Sequence, residues 1–263
     1  MRGSARGAVL KAPHCLKPRG GLPAGPSTKG RYFADVFCGG GGVGKQALRM
    51  GVNARFWDTR YGPSGNVIAR PVFRQLISDV RCALVIAMML APPCASFSLP
   101  FQRDEWCRTK DEPWGLAKIS ERKRLLVEAG NRTARAALRL ARECQKAMVP
   151  WCLEHPASSY LLSTPEYLAL RAQPSVHFIL LDQCQFGASY RKHTALLCGG
   201  VDDHDLDRLR KTCGASRRCT RTGRRHDWLE GKKLTQASKY PTTLCRHVAF
   251  VLLERARTGA ANL

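Results

Sequence analysis

At 263 residues with 44% hydrophobic content, the chain is long enough for one full α/β domain with a real core. No apolar run approaches the roughly 18 residues that a bilayer span needs, and Ala8-Val9-Leu10 runs at once into Lys11 and Pro13, so neither a membrane segment nor a secretory leader is expected. The 43 Lys+Arg against 20 Asp+Glu give a formal charge of +23, which says little about fold but favours a polyanionic partner, nucleic acid above all.

Residues 1–30 carry Arg2, Arg6, Lys11, Lys17, Arg19 and Lys29 with no acid, the composition of a disordered basic arm. From Tyr32 onward strands and helices alternate. Residues 32–37 read as a short apolar strand, 39–44 as a glycine turn, and 45–50 as a helix closed by Gly51. A second strand at 53–58 ends in Asp58. The uninterrupted apolar run 83–90 is the pattern of a strand buried on both faces.

A long helix is expected over 117–148, with Leu125, Leu126, Ala129, Ala136, Ala137, Leu140, Cys144 and Met148 on its apolar face. Strands at 151–154, 176–181 and 195–198 and a closing helix at 244–257 complete the pattern. This alternation predicts a doubly wound, mostly parallel α/β sheet. Twelve cysteines would suit a disulfide scaffold in a small secreted chain, but Cys38, Cys82, Cys94 and Cys152 fall in or beside apparent core strands. They read as thiols in a reducing, intracellular setting, nucleus or cytoplasm.

Two segments carry chemistry. In Ala34-Asp35-Val36-Phe37-Cys38-Gly39-Gly40-Gly41-Gly42-Val43-Gly44 a strand meets a glycine turn and a helix start, where backbone can approach a nucleotide-like ligand closely. Asp35 precedes the glycines. Asp58, about 20 residues past the loop, is spaced to accept hydrogen bonds from ribose hydroxyls, and Trp57 offers an aromatic face. In Leu90-Ala91-Pro92-Pro93-Cys94-Ala95-Ser96-Phe97-Ser98 the two prolines fix the backbone and present Cys94 at a strand tip. Glu154, in Leu153-Glu154-His155-Pro156, stands at another strand's carboxyl end, suited to handling a proton.

In this order and spacing the segments resemble the carbon-5 cytosine-specific DNA methyltransferases, in a divergent, phage- or mobile-element-like branch. That family's motifs read Asp-x-Phe-x-Gly-x-Gly-Gly and Pro-Pro-Cys-x-x-Phe-Ser. The resemblance implies a class I, Rossmann-like fold, S-adenosylmethionine as cofactor and nucleic acid as partner, DNA before RNA. It implies Phe37, Gly39, Gly41 and Pro92 beside the cofactor, Asp58 on its ribose and Asp79 facing the adenine. It makes Cys94 the nucleophile and Glu154 its acid partner. The segment 186–194 is similar to the family's Gly-x-Pro-x-x-Arg-x-Arg, which implies that Arg191 and Lys192 meet phosphate or neutralise charge near the base.

The chain departs from the pattern at Ala95, where Gln is usual, and at His155, where Asn is usual. The last family motif is replaced by Lys239-Tyr240-Pro241-Thr242. Only about 45 residues separate Thr194 from Tyr240, leaving little scaffold for reading bases. Arg217, Arg218, Arg221, Arg224 and Arg225 cluster there, suited to gripping phosphates, in a basic insertion at about 199–238. Cys213, Cys219 and His226 lie in the same stretch as zinc candidates, but their spacing fits no standard zinc module, so unpaired thiols in a flexible loop, with no metal, are the expectation. The competing reading is a catalytically degenerate nucleic-acid-binding protein that keeps the fold.

Overall fold

A computed structural model describes residues 30–214, 216–229 and 237–258; residues 1–29, which carry nearly all of the expected basic arm, lie outside them. Six strands form one sheet in the order β2-β1-β3-β4-β6-β5. These are β1 (Tyr32–Val36), β2 (Ala54–Trp57), β3 (Val85–Leu90), β4 (Trp151–Pro156), β5 (Val176–Asp182) and β6 (His193–Gly199). The first four are parallel, and β6 runs antiparallel to both β4 and β5. The chain therefore has the mixed, mostly parallel α/β architecture of a Rossmann-like domain.

Side-chain alternation divides the core into two layers. Tyr32, Ala34 and Val36 face one side with Met88, Leu90, Trp151 and Leu153, beneath α2 (Arg70–Arg81) and α3 (Glu121–Lys146). Phe33, Ala87, Met89 and Cys152 face the other, beneath α1 (Gly42–Arg49) and α5 (Thr242–Thr258). With helices on both faces, β1 can be buried along its whole length. A short helix, α4 (Pro165–Arg171), precedes β5.

The sheet order places the site. From β1 the chain winds outward to β2, then returns across β1 to β3, so the connections leave the carboxyl ends of β1 and β3 in opposite directions. The crevice between those ends is the topological switch point where ligands of open α/β sheets bind.

Several sequence expectations change here. No element is expected between Asp58 and Ala83, yet α2 forms, with Pro71 in its first turn and Leu76, Ile77 and Val80 buried at helical spacing. Leu125 and Leu126 are 59% and 49% exposed; Ala137, Leu140 and Cys144 are buried as expected, and Val127, Ala134, Leu138 and Ala141 complete the buried face of α3. Among the described residues ten cysteines are free, Cys38, Cys94 and Cys152 among them. Among the described residues no helix is long and apolar enough to cross a membrane.

Candidate active site

The glycine turn leaves β1 at its carboxyl end. Phe37, Gly39 and Gly41 have φ of 57°, 53° and 66°, a left-handed region that glycine enters without strain and that leads the backbone into α1. Asp35 is buried below the turn and accepts the Gly44 N–H at 2.8 Å. Burial pushes its carboxyl up to about 7. Asp58, at the end of β2, accepts the N–H of Gly39 at 2.9 Å and of Arg60 at 3.0 Å. A Cβ on Gly44 would stand 2.5 Å from the Phe56 ring, so that glycine serves packing; a Cβ on Gly40 would meet nothing within 4 Å. Open space therefore lies over Gly40.

One cofactor expectation is corrected. Asp79 sits near the end of α2, under the amino edge of β1, where it accepts hydrogen bonds from the Tyr32 hydroxyl and, at 2.7 Å, from Gln75 Nε2. Because α2 runs antiparallel to the strands, its last turn lies at the opposite end of the sheet from the glycine loop. Trp57 turns its ring back over β1, 5.7 Å from that of Tyr32, and packs against the core. Pro92 is buried in the link that leads from β3 to Cys94.

Cys94 opens a short turn, Ala95–Phe97, beyond β3. That turn is bolted to α3 by Arg108, which is fully buried. Its guanidinium donates to the Ser96 carbonyl at 2.8 Å, to Ser96 Oγ at 3.0 Å and to the Val127 carbonyl of α3 at 3.1 Å, and lies 3.8 Å from the centre of the Phe97 ring. Gly130 makes the approach possible, since a Cβ there would stand 2.0 Å from Ser96 Oγ. Neither residue is singled out by the sequence reading. A glycine interrupting the helical pattern was the available signal.

On the neighbouring strand, Glu154 is buried and accepts the Tyr240 hydroxyl at Oε2, 2.7 Å away. Its Oε1 has no hydrogen-bond partner but lies 3.6 Å from Lys192 Nζ. Burial and the Glu154 charge push the Cys94 thiol above its ordinary value, against the opposing pull of Lys192. His155 packs edge-on to Phe97 at 5.9 Å and pairs through Nδ1 with Ser159 Oγ at 2.6 Å. Burial, helped by the Lys192 and Arg108 charges, pushes it down to about 3, so it is neutral. This histidine is a packing link between the cysteine turn and the glutamate strand.

Of the expected basic pair, Lys192 is the residue at Glu154. Arg191 Nε is held at 3.0 Å by the buried carboxylate of Asp182. Burial pushes the Asp182 carboxyl up, but the Cys213 N–H and the Arg191 guanidinium outweigh it and hold it below the ordinary range. The residues missed from sequence, Tyr240 and Asp182, arrive from distant segments. Arg217, Arg218, Arg221, Arg224 and Arg225 do come together, all exposed, on a hairpin pinned by an antiparallel bridge between Arg218 and Arg225. Cys213 and Cys219 are free thiols, and the fold brings Cys184 and His226 beside them.

No protein-family model matches the chain, and no curated protein matches it. Among solved structures it is similar to the Entamoeba histolytica methyltransferase EhMeth, at 15% identity and a TM-score of 0.38. That similarity covers 64% of this chain and 52% of the other, so the chain spans about half the length of that structure. At this level the likeness carries no argument for function.

Proposed function

We propose that the chain is an S-adenosylmethionine-dependent methyltransferase acting on carbon 5 of cytosine in nucleic acid, with DNA as its first substrate. The observation that supports this most is the convergence of a thiol, a carboxylate and an ammonium group on adjacent strand ends. Cys94 follows β3, Glu154 lies near the end of β4, and Lys192 Nζ stands 3.6 Å from Glu154 Oε1. The cradle at the switch point suits a nucleoside-type donor. Gly39 and Gly41 turn the backbone through the left-handed region, the space over Gly40 is open, and Asp58 retains lone pairs beyond the two N–H groups it accepts.

Glu154 is buried, so a target base must leave its stack to reach it. Cys94 sulfur then bonds to carbon 6. The proton lost from the thiol ends on ring nitrogen 3 with Glu154 as the relay, and the electron pair of the 5,6 double bond is directed to carbon 5. The cofactor, when bound, supplies an electrophilic methyl group. Loss of the carbon-5 proton to water, with cleavage of the carbon–sulfur bond and return of the nitrogen-3 proton through Glu154 to the sulfur, restores the ring and the thiol. Lys192 offsets the negative charge that Glu154 puts beside the nucleophile. Tyr240 fixes the carboxylate so that Oε1 is the free oxygen.

The test is a trapping assay on duplex DNA containing 5-fluorocytosine, with labelled cofactor. Fluorine cannot leave as a cation, so the covalent adduct persists through denaturation. The expected result is an adduct that is absent in Cys94→Ala, while the variant still binds cofactor. Methyl transfer by Cys94→Ala overturns the mechanism. Cofactor binding with no adduct on DNA or RNA supports the non-catalytic alternative, which the displaced Asp79 and the raised thiol favour.

A further inference from the structure

We propose that Cys184, Cys213, Cys219 and His226 bind one zinc ion, a structural site that fastens the basic hairpin beside the candidate active site. The four donor atoms, three Sγ and the imidazole Nε2, all lie within 4.8 Å of one another. A tetrahedral zinc, about 2.3 Å from sulfur and about 2.0 Å from nitrogen, spaces its ligands about 3.5–3.8 Å apart. Cys213 Sγ and His226 Nε2 are 3.7 Å apart. Three thiols and one imidazole are a donor set that selects zinc among the available divalent ions.

The surroundings fit a ligated sulfur. Thr220 directs its N–H at Cys213 Sγ from 3.3 Å and its hydroxyl from 3.6 Å, the kind of support that metal-bound thiolates receive. Cys219 sits at one root of a tight turn closed by the Gly223 N–H on its carbonyl at 2.8 Å. His226 sits at the other root, its N–H on the Arg217 carbonyl at 2.9 Å. Cys184 comes from the turn just beyond β5 and ties the hairpin to the sheet, helped by Arg221 Nε on the Cys184 carbonyl at 2.9 Å.

The segment also needs such a fastening. Among the described residues of 213–227 only Cys213 and Cys219 are buried, and with Cys184 they form a cluster separate from both main core layers. Two buried cysteines cannot hold a hairpin that carries five arginines in nine residues. Zinc with three thiolates and a neutral imidazole carries one net negative charge, placed among those arginines; the three thiol protons pass to water on binding. The fastening reaches the reaction site through Asp182, which accepts the Cys213 N–H at 2.6 Å and Arg191 Nε at 3.0 Å, one residue before Lys192. The site thus presents the arginines, with the 69% exposed Trp228 next to them, as a rigid phosphate-gripping and base-stacking surface.

The full-length protein, purified without chelator from zinc-supplemented medium, is expected to carry one zinc per chain. Cys219→Ser should lose it and Cys245→Ser should keep it. Should Cys219→Ser fail to fold, cobalt titration of chelator-stripped wild-type protein decides, by the intense visible bands of tetrahedral thiolate-bound Co(II). A folded protein with neither zinc nor that spectrum overturns the site. Trypsin should cut between Arg217 and Arg225 about tenfold faster after metal removal, a local-unfolding readout; equal rates overturn the fastening role. The phosphate-gripping part rests on the nucleic-acid reading above. Metal content and spectrum need no nucleic acid, so the two readings fail separately.

Discussion

The Tyr240 hydroxyl donates to Glu154 Oε2 across 2.7 Å, joining residues 86 positions apart. The contact explains what the segment before the last helix contributes although it carries no recognisable family motif. It fills one side of a buried carboxylate and leaves the other oxygen facing Lys192.

Tyr240→Phe removes that donor and leaves a buried acceptor unsatisfied, a penalty of about 1–3 kcal/mol. We expect methyl transfer in single turnover to slow about 10- to 100-fold, with cofactor affinity unchanged. An unchanged rate would mean that Glu154 is positioned by something else.

Lys192 and Glu154 act on the Cys94 thiol with opposite signs. Lys192→Met should therefore raise its pKa further and slow its alkylation by iodoacetamide at neutral pH. Glu154→Gln should lower it and speed alkylation, each by roughly tenfold per pKa unit. Peptide mapping isolates Cys94 from the other free thiols. Equal alkylation rates in both variants would disconnect the three residues.

Gly130→Ala brings a methyl group against Ser96 Oγ, where the Cβ position is 2.0 Å away. Overpacking of this kind costs about 1–3 kcal/mol. The Cys94 turn should shift, lowering both thermal stability and activity. Ser96→Ala in the same chain should restore part of the loss, and a double-mutant cycle measures the coupling. Strict additivity would show that the turn does not rest on α3.

Asp35 titrates at about 7 in the folded chain because it is buried, against an ordinary value of 3.8. The neutral acid is the form the fold prefers. Its contribution is fully present below the ordinary value and is lost as pH rises through about 7. Asp35→Asn should thus stabilise the protein at about pH 8 and have little effect at about pH 4, read as Tm at the two values. A gain confined to acid would reverse the sign and refute the assignment.

Hydrophobic periodicity and glycine chemistry are local properties, and they were enough to mark the β1 turn, the buried β3 run and the Pro-Pro-Cys corner. Asp58 was legible for the same reason, lying 19 residues beyond Gly39 at the next strand's end. Asp79 was not, because whether an acid serves a ligand or caps a core tyrosine depends on which end of the sheet its helix reaches. Arg108 and Gly130 looked like surface charge and helix irregularity; only packing of the cysteine turn on α3 gives them a partner. Cys184 stands 29 positions from Cys213, too far for a ligand spacing rule, and β5 and the hairpin had to fold together before the four donors met. The sequence by itself determined the strands, their polar tips and the charge, since these follow from each residue's own solvation and backbone preferences. The tertiary structure alone decided which tips converge, because convergence depends on the order in which β6 returns between β4 and β5.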